Sequence, residues 1–189
     1  MKPIQLKFNS TNPLSIIDIG SFSIRLVVYD SISVASRTLF NEKVILNLGA
    51  VVKRKGKIDK KSEDLLLGIL ERFISISKSV KIENLVILAT SAIRNAKNKN
   101  YIVNKVFSKF GLKIKVLSGK EEGILSAFGT FYSHKNVNGI VGDLGGGSLE
   151  LTQMEGLKKV NFIDSMLIGH TVLQDIGPPN SLKVKKYLE

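Results

Sequence analysis

The sequence predicts an α/β protein arranged as two lobes, and three observations predict it. Short apolar runs alternate with longer stretches in which apolar residues recur at helical spacing. An Asp-x-Gly turn at the end of an apolar run occurs twice, as Asp18-Ile-Gly20-Ser21 and as Asp143-Leu-Gly145-Gly-Gly-Ser148. A polar break at His134–Asn138 separates the stretches carrying the two copies. The lobes are therefore expected at residues 1–134 and 135–189, and 189 residues suffice for two small lobes.

Leu14–Ile19 is an apolar run ending in Asp18 and Gly20, which reads as a buried strand and its turn. Ile24–Tyr29 returns from that turn, and Val34–Phe40 is a weaker third strand. Asn47–Lys57 carries two Gly and four basic residues and reads as a loop. Asp59 is placed to cap a helix running to about Lys78, with Leu65, Leu66, Ile69, Phe73 and Ile76 as its buried face. Leu85–Ala89 is a strand. Asn100–Phe110 is a helix whose apolar side is Ile102, Val103, Val106 and Phe110, with Gly111 as its C′ residue. Lys113–Leu117 is a strand and Ser118–Tyr132 a helix. Gly139–Asp143 and Leu149–Gln153 form the second hairpin, followed by a third strand at Lys159–Ile163 and a short helix at Gly169–Ile176. Gly177–Asn180 breaks that helix, and polar Ser181–Glu189 is expected to fray.

Composition excludes several classes. At 43% apolar and 23% charged residues the chain is neither disordered, collagen-like nor a coiled coil. It has no Cys, so it has no disulfide framework, thiolate zinc site or cysteine nucleophile. Apolar runs such as Leu85–Ala89 fall far short of the roughly 20 residues that cross a bilayer. Met1–Asn12 holds no apolar run of signal-peptide length. A cytoplasmic location without a membrane partner is expected. The net charge is +12, from 28 Lys and Arg against 16 Asp and Glu. That excess suits a polyanionic partner, although scattered Lys pairs also read as a solvated surface. No aromatic-rich basic strand or recognition-helix pattern accompanies it, so nucleic acid is not the expected partner.

The repeated turn carries the chemistry. A turn rich in Gly and Ser exposes backbone N–H groups, and converging N–H groups bind phosphate oxygens. Gly20, Ser21, Ser23, Gly145, Gly146, Gly147 and Ser148 are the candidate phosphate contacts. An Asp just before such a turn can hold a divalent cation or orient a water, which singles out Asp18 and Asp143; Glu150, across the second hairpin, is a further hard oxygen donor. Ser118-x-x-Glu121 is a capping-box pattern that gives Glu121 a structural place. Glu122, about 100° further round the helix, is freer to face a cleft. Arg94 follows a strand, where its fork can bind two phosphate oxygens. Arg25 reads as structural or peripheral, and His134 and His170, without metal-ligand spacing, as surface or satisfied histidines.

Four stretches together resemble a known family. Ile17–Leu26 (Ile-Asp-Ile-Gly-Ser-Phe-Ser-Ile-Arg-Leu) is similar to the first phosphate motif of the exopolyphosphatase / guanosine pentaphosphate phosphohydrolase (Ppx/GppA) family. Ala89–Ala96 resembles its Ala-Thr-x-Ala-x-Arg motif, Leu117–Gly123 its Ser-Gly-x-Glu-Glu-Ala motif, and Val141–Leu151 its second phosphate motif. The resemblance runs in order from about Ser15 to Thr152. It implies the actin / sugar-kinase / Hsp70-like ATPase (ribonuclease H-like) fold. It also implies Mg²⁺-dependent hydrolysis of terminal phosphoanhydride bonds of polyphosphate or guanosine pentaphosphate. On that resemblance Glu122 is the group acting on water, Arg94 lies near the phosphates, and Asp18, Asp143 and Glu150 serve the metal. Two departures stand out. Phe22 occupies the place where the family usually has Asn, and few residues follow Glu150, so an incomplete second lobe is expected. The alternative to turnover is a member that binds polyphosphate or the alarmone without hydrolysing it, completed by a partner or a second copy of the chain.

Overall fold

The structure, a computed structural model, describes residues 12–33, 36–82, 84–134, 137–156, 159–178 and 186. The first sheet has five strands. β1 (Leu14–Ile19), β2 (Ser23–Tyr29) and β3 (Thr38–Ile45) form an antiparallel meander. β4 (Asn84–Ala89) and β5 (Ile114–Val116) extend the sheet in parallel on the other side of β1, giving the order β3-β2-β1-β4-β5. β1 is central, and Ile17 and Ile19 are fully buried. Four helices belong to this part: α1 (Leu48–Lys55), α2 (Lys60–Ser79), α3 (Ser91–Asn95) and α4 (Lys99–Phe110). The second sheet has order β6-β7-β8, from Asn138–Leu144, Leu149–Glu155 and Lys159–Met166, all antiparallel. α5 (Gly119–Ser133) and α6 (His170–Ile176) complete the described elements.

Most elements form where the sequence places them, and the differences have identifiable causes. Asn47–Lys57 is not a loop, because Leu48–Lys55 is helical. Leu48 and Val52, one turn apart, bury into the core, and Gly56 closes the helix in the left-handed conformation with its N–H on the Val52 carbonyl. The third strand begins at Thr38; Val34 and Ala35 lie outside the described residues, as do the N-terminal eleven residues and all of Ser181–Glu189 except Lys186. Asp59 does cap α2, accepting from the Ser62 N–H, but the helix is rotated from the expected phase. Its buried stripe is Glu63, Leu66, Leu67, Leu70, Phe73, Ile74 and Ser77, and Leu65 is exposed. An acidic residue joins that stripe because Lys60 Nζ and the Tyr101 hydroxyl both reach Glu63 Oε1, at 3.3 Å each.

The helix α5 lies before the compositional break, yet it packs on β6, β7 and β8 of the second sheet. α5 thus reaches across the compositional break to the second sheet. Two glycines permit this packing. A Cβ at Gly119 would meet the Ser165 side chain at 2.4 Å, and one at Gly123 would meet Thr152 Oγ1 at 2.9 Å. Among the described residues the second sheet holds three strands against five in the first, and Ile140, Leu144 and Ile163 remain exposed on it.

Candidate active site

The echo between the two turns is also a structural repeat. Each is a tight turn between antiparallel strands in which the N–H of the first Gly donates to the carbonyl of the Ser three residues on. Gly20 N–H to the Ser23 oxygen and Gly145 N–H to the Ser148 oxygen both measure 2.9 Å. In each hairpin the Asp two residues before the Gly stands opposite a charged residue on the returning strand: Asp18 opposite Arg25, and Asp143 opposite Glu150. The two turns face each other. A Cβ at Gly146 would lie 3.0 Å from Phe22 Cβ, and one at Gly147 would lie 2.4 Å from Ser21 Oγ and 2.8 Å from Ser91 Oγ. Only Gly at these positions allows the approach without displacement.

Backbone hydrogen bonds fix both turns. Ser21 O accepts from Gly49 N–H (2.8 Å), and Phe22 O accepts from Leu46 N–H (3.0 Å) and Asn47 N–H (2.8 Å), so the start of α1 anchors the first turn. The start of α6 anchors the second, with His170 N–H donating to Gly145 O and Thr171 N–H to Gly146 O. Gly169 sits where a Cβ would lie 2.4 Å from the Gly146 carbonyl carbon and oxygen. That neighbour is backbone and cannot rotate away. Gly169→Ala is expected to destabilise the fold by about 1–3 kcal/mol, measured by urea unfolding, because α6 must shift off the turn.

Between the turns lies a cleft of about 260 Å³ lined by Asp18, Gly20–Ser23, Lys43, Thr90, Ser91, Glu122, Asp143–Ser148 and His170. The candidate residues Asp18, Gly20, Ser21, Ser23, Glu122, Asp143, Gly145, Gly146, Gly147 and Ser148 are thus brought together. The cleft lies beyond the C-terminal ends of β1 and β4, the edge where α/β sheets bind ligands. A larger hollow of about 320 Å³ lies on the far side of Ser21, Ser91 and Gly147. Ala50, Val52, Ala92, Leu167 and Val172 line much of it, and none of its lining residues is a carboxylate, so the acid–base chemistry belongs to the smaller cleft.

Arg94 and Glu150 stand behind the cleft. One Arg94 nitrogen, Nη1, donates to Glu122 Oε2 at 2.8 Å and to Leu117 O at 2.9 Å. The other, Nη2, lies 3.7 Å from Glu150 Oε1. Glu150 is fully buried; Ser165 Oγ donates to its Oε1 at 2.7 Å, and its Oε2 has no partner. Arg94 therefore bridges two carboxylates across the two parts of the molecule. Glu121 takes the structural place its spacing assigns. Ser118 N–H donates to its carboxylate at 2.9 Å, and its own N–H donates to Ser118 Oγ. The bond from Ser118 N–H holds the Glu121 carboxyl below its ordinary range, against some desolvation.

Two cleft carboxyls are perturbed the other way. Burial pushes Glu122 up to about 7; the negative charges of Glu150 and Asp143 add to this, and the bond from Arg94 opposes it. Asp18 keeps a solvent-facing side but is crowded by the cleft walls. That crowding, then Asp143, raises its carboxyl, and Arg25 pulls it back. Arg25 is thus a neighbour of the site rather than peripheral. Thr90, Ser91 and Lys43 also line the cleft, and so does His170, which by spacing reads as a surface or satisfied histidine. Thr90 and Ser91 lay inside a recognisable motif, whereas nothing local to Lys43 or His170 marked them.

The sequence matches the Ppx/GppA phosphatase family over residues 27–176. The chain belongs to that family. Exopolyphosphatase 1 of Mycobacterium tuberculosis is 30% identical over 142 residues, which are 74% of this chain and 41% of that protein. A bifunctional 3-dehydroquinate synthase/phosphatase of Fusobacterium nucleatum is 31% identical over 158 residues, 76% of this chain and 23% of that protein. The crystal structure of the Aquifex aeolicus Ppx/GppA member superposes with a TM-score of 0.78 at 29% identity, covering 93% of this chain and 59% of that one. The ethanolamine utilization protein EutJ of Carboxydothermus hydrogenoformans, at 15% identity and a TM-score of 0.52, shares the fold alone. This Ppx/GppA chain has the actin-like ATPase fold with a partial second lobe, and it spans about two fifths of the length of the mycobacterial relative. Among its described residues no helix is long and apolar enough to cross a membrane.

Proposed function

We propose that this chain hydrolyses the terminal phosphoanhydride bond of inorganic polyphosphate or of guanosine pentaphosphate. The observation that carries the reading is the placement of Glu122. A carboxylate near neutrality lines the same cleft as two opposed Gly-Ser turns. In the reaction the terminal phosphate lies between the turns, its oxygens facing the N–H groups of Gly146 and Gly147 and the hydroxyls of Ser21 and Ser148. Ionised Glu122 orients a water and takes its proton as the water oxygen bonds to phosphorus. The bridging P–O bond breaks, releasing orthophosphate and a chain shorter by one. Positioning and charge stabilisation supply most of the acceleration in such a step.

Asp18 and Asp143 fit a Mg²⁺ ion. They are two carboxylates close enough for Asp143 to raise Asp18, and Mg²⁺ is usually held by one or two carboxylates with waters and substrate phosphates. Among the described residues no cluster of three His, Cys, Asp or Glu is placed to hold an ion, so substrate oxygens and waters would complete the shell. Glu150 is buried against Ser165 and Arg94, a position suited to orienting Arg94 rather than to direct ligation. The ion, when bound, offsets charge on the phosphate oxygens. The test is orthophosphate release from polyphosphate and from the pentaphosphate, with Mg²⁺, by this chain. Release with multiple turnover supports the reading. Tight binding of either compound with no release would replace it by the non-hydrolysing alternative.

The same placement sets a pH dependence. Because Glu122 must be ionised to accept a proton and its pKa is about 7, kcat/KM is expected to rise with pH up to about 7 and level off above it. A profile flat between pH 5 and 8 would remove Glu122 from the proton transfer.

A further inference from the structure

Phe22 poses a question that the proposed hydrolysis leaves open. A ring in a phosphate-binding turn makes no hydrogen bond to phosphate oxygen, yet it occupies the centre of the first turn. Its surroundings supply an answer. The His170 ring meets it edge-on, with centroids 5.4 Å apart and planes at 72°. Lys43 Nζ lies over it, 5.7 Å from the centroid. All three side chains line the cleft, and they come from three separate places: the first turn, strand β3 and the start of α6.

The charges of the cleft are sorted. Asp18, Glu122 and Asp143 are the carboxylates lining it, and Lys43 and His170 are the basic side chains lining it, both gathered at the Phe22 ring. Arg94 is already engaged by Glu122 and Glu150. Lys43, by contrast, makes no ion pair among the described residues, and its attraction to the Phe22 ring holds it beside the first turn. The platform is firm, since Phe22 O accepts two backbone bonds and Gly146 packs against Phe22 Cβ. A polyanion whose reacting end meets Glu122 can place its remaining charge beside Lys43, which lines the same cleft.

We propose that Lys43 and His170, gathered around the Phe22 ring, form a second anion subsite in the cleft that holds the phosphate next to the one being removed. The subsite rests on the hydrolase reading and deepens it. Its ligand is the penultimate phosphate of a phosphoanhydride chain, a group that polyphosphate and guanosine pentaphosphate share. Phe22 is a positioning residue, and Lys43 and His170 contact the substrate.

The test uses calorimetry with inorganic tripolyphosphate and, separately, orthophosphate, on the full chain carrying Glu122→Gln so that the longer ligand stays intact. Adding Lys43→Ala is expected to weaken tripolyphosphate about tenfold, as loss of a charge-assisted contact does, and to leave orthophosphate within about twofold. Lys43→Arg should restore most of the loss. With Glu122 intact, Lys43→Ala should raise KM and spare kcat. His170→Ala should act in the same direction. Lys43 is exposed, so the Lys43 variants are expected to fold. Unchanged tripolyphosphate affinity in Lys43→Ala, or an equal loss for both ligands, overturns the subsite while leaving the hydrolase reading in place. If the unaltered chain neither binds nor hydrolyses any of these compounds, the hydrolase reading falls first and the subsite with it.

Discussion

Glu122→Gln is expected to lower orthophosphate release from polyphosphate by at least about a hundredfold, the usual effect of losing a positioned proton acceptor. The same substitution is expected to stabilise the fold at alkaline pH. The carboxyl is raised from 4.5 to about 7 in the folded chain. Below pH 4.5 it is neutral in both folded and unfolded chains and carries no penalty. As pH rises from 4.5 through 7 the unfolded chain ionises first, so the folded state loses stability, and the loss is complete above 7. At about 1.4 kcal/mol per pKa unit, removing the charge recovers up to about 3 kcal/mol at pH 8 and nothing at pH 4. Paired measurements of turnover and urea midpoint at the two pH values check both parts. Wild-type turnover in Glu122→Gln would dismiss the assigned role, and an equal gain in stability at pH 4 and 8 would dismiss the electrostatic cause.

The second large effect is expected from Arg94→Ala. The guanidinium joins Glu122, Glu150 and the Leu117 carbonyl, and Glu150 is fully buried. Without Arg94, Glu150 loses its cation while remaining out of water, and breaking such a pair costs about 3–5 kcal/mol. Arg94 also opposes the upward push on Glu122, so its removal should carry the Glu122 pKa above 7 and shift the kcat/KM profile to higher pH. Arg94→Lys keeps the charge but has no fork to reach both carboxylates and the carbonyl, so it should recover only part of the stability. Urea unfolding and the pH profile together separate the two roles. A stable Arg94→Ala chain with an unmoved profile would show that the bridge holds neither residue.

Much of this site could be read one residue at a time. The capping box at Ser118 is local, needing only four consecutive residues, and it correctly reserved Glu121 for the helix and left Glu122 to the cleft. Two Gly-Ser turns after apolar strands are also local, and they recur with the same backbone bond. The helix at Leu48–Lys55 was hidden because basic residues and glycines outweigh its apolar content, and its stability comes from burying Leu48 and Val52 against residues distant in sequence. The phase of α2 is not legible in the sequence for a related reason. Leu65 and Leu66 are equally apolar, and only the partners of Glu63 decide which side turns inward.

Most of the α/β elements, the paired Asp-x-Gly turns and the candidate acids are legible from the sequence, because each depends on spacing within a few residues. Tertiary structure alone decided that the two turns meet across one cleft, that Arg94 ties Glu122 to buried Glu150, and that Lys43 and His170 gather round Phe22. Those are contacts between groups 20 to 150 residues apart in the chain. Their energies come from burial and from charge at close range, quantities that exist only once the chain has folded.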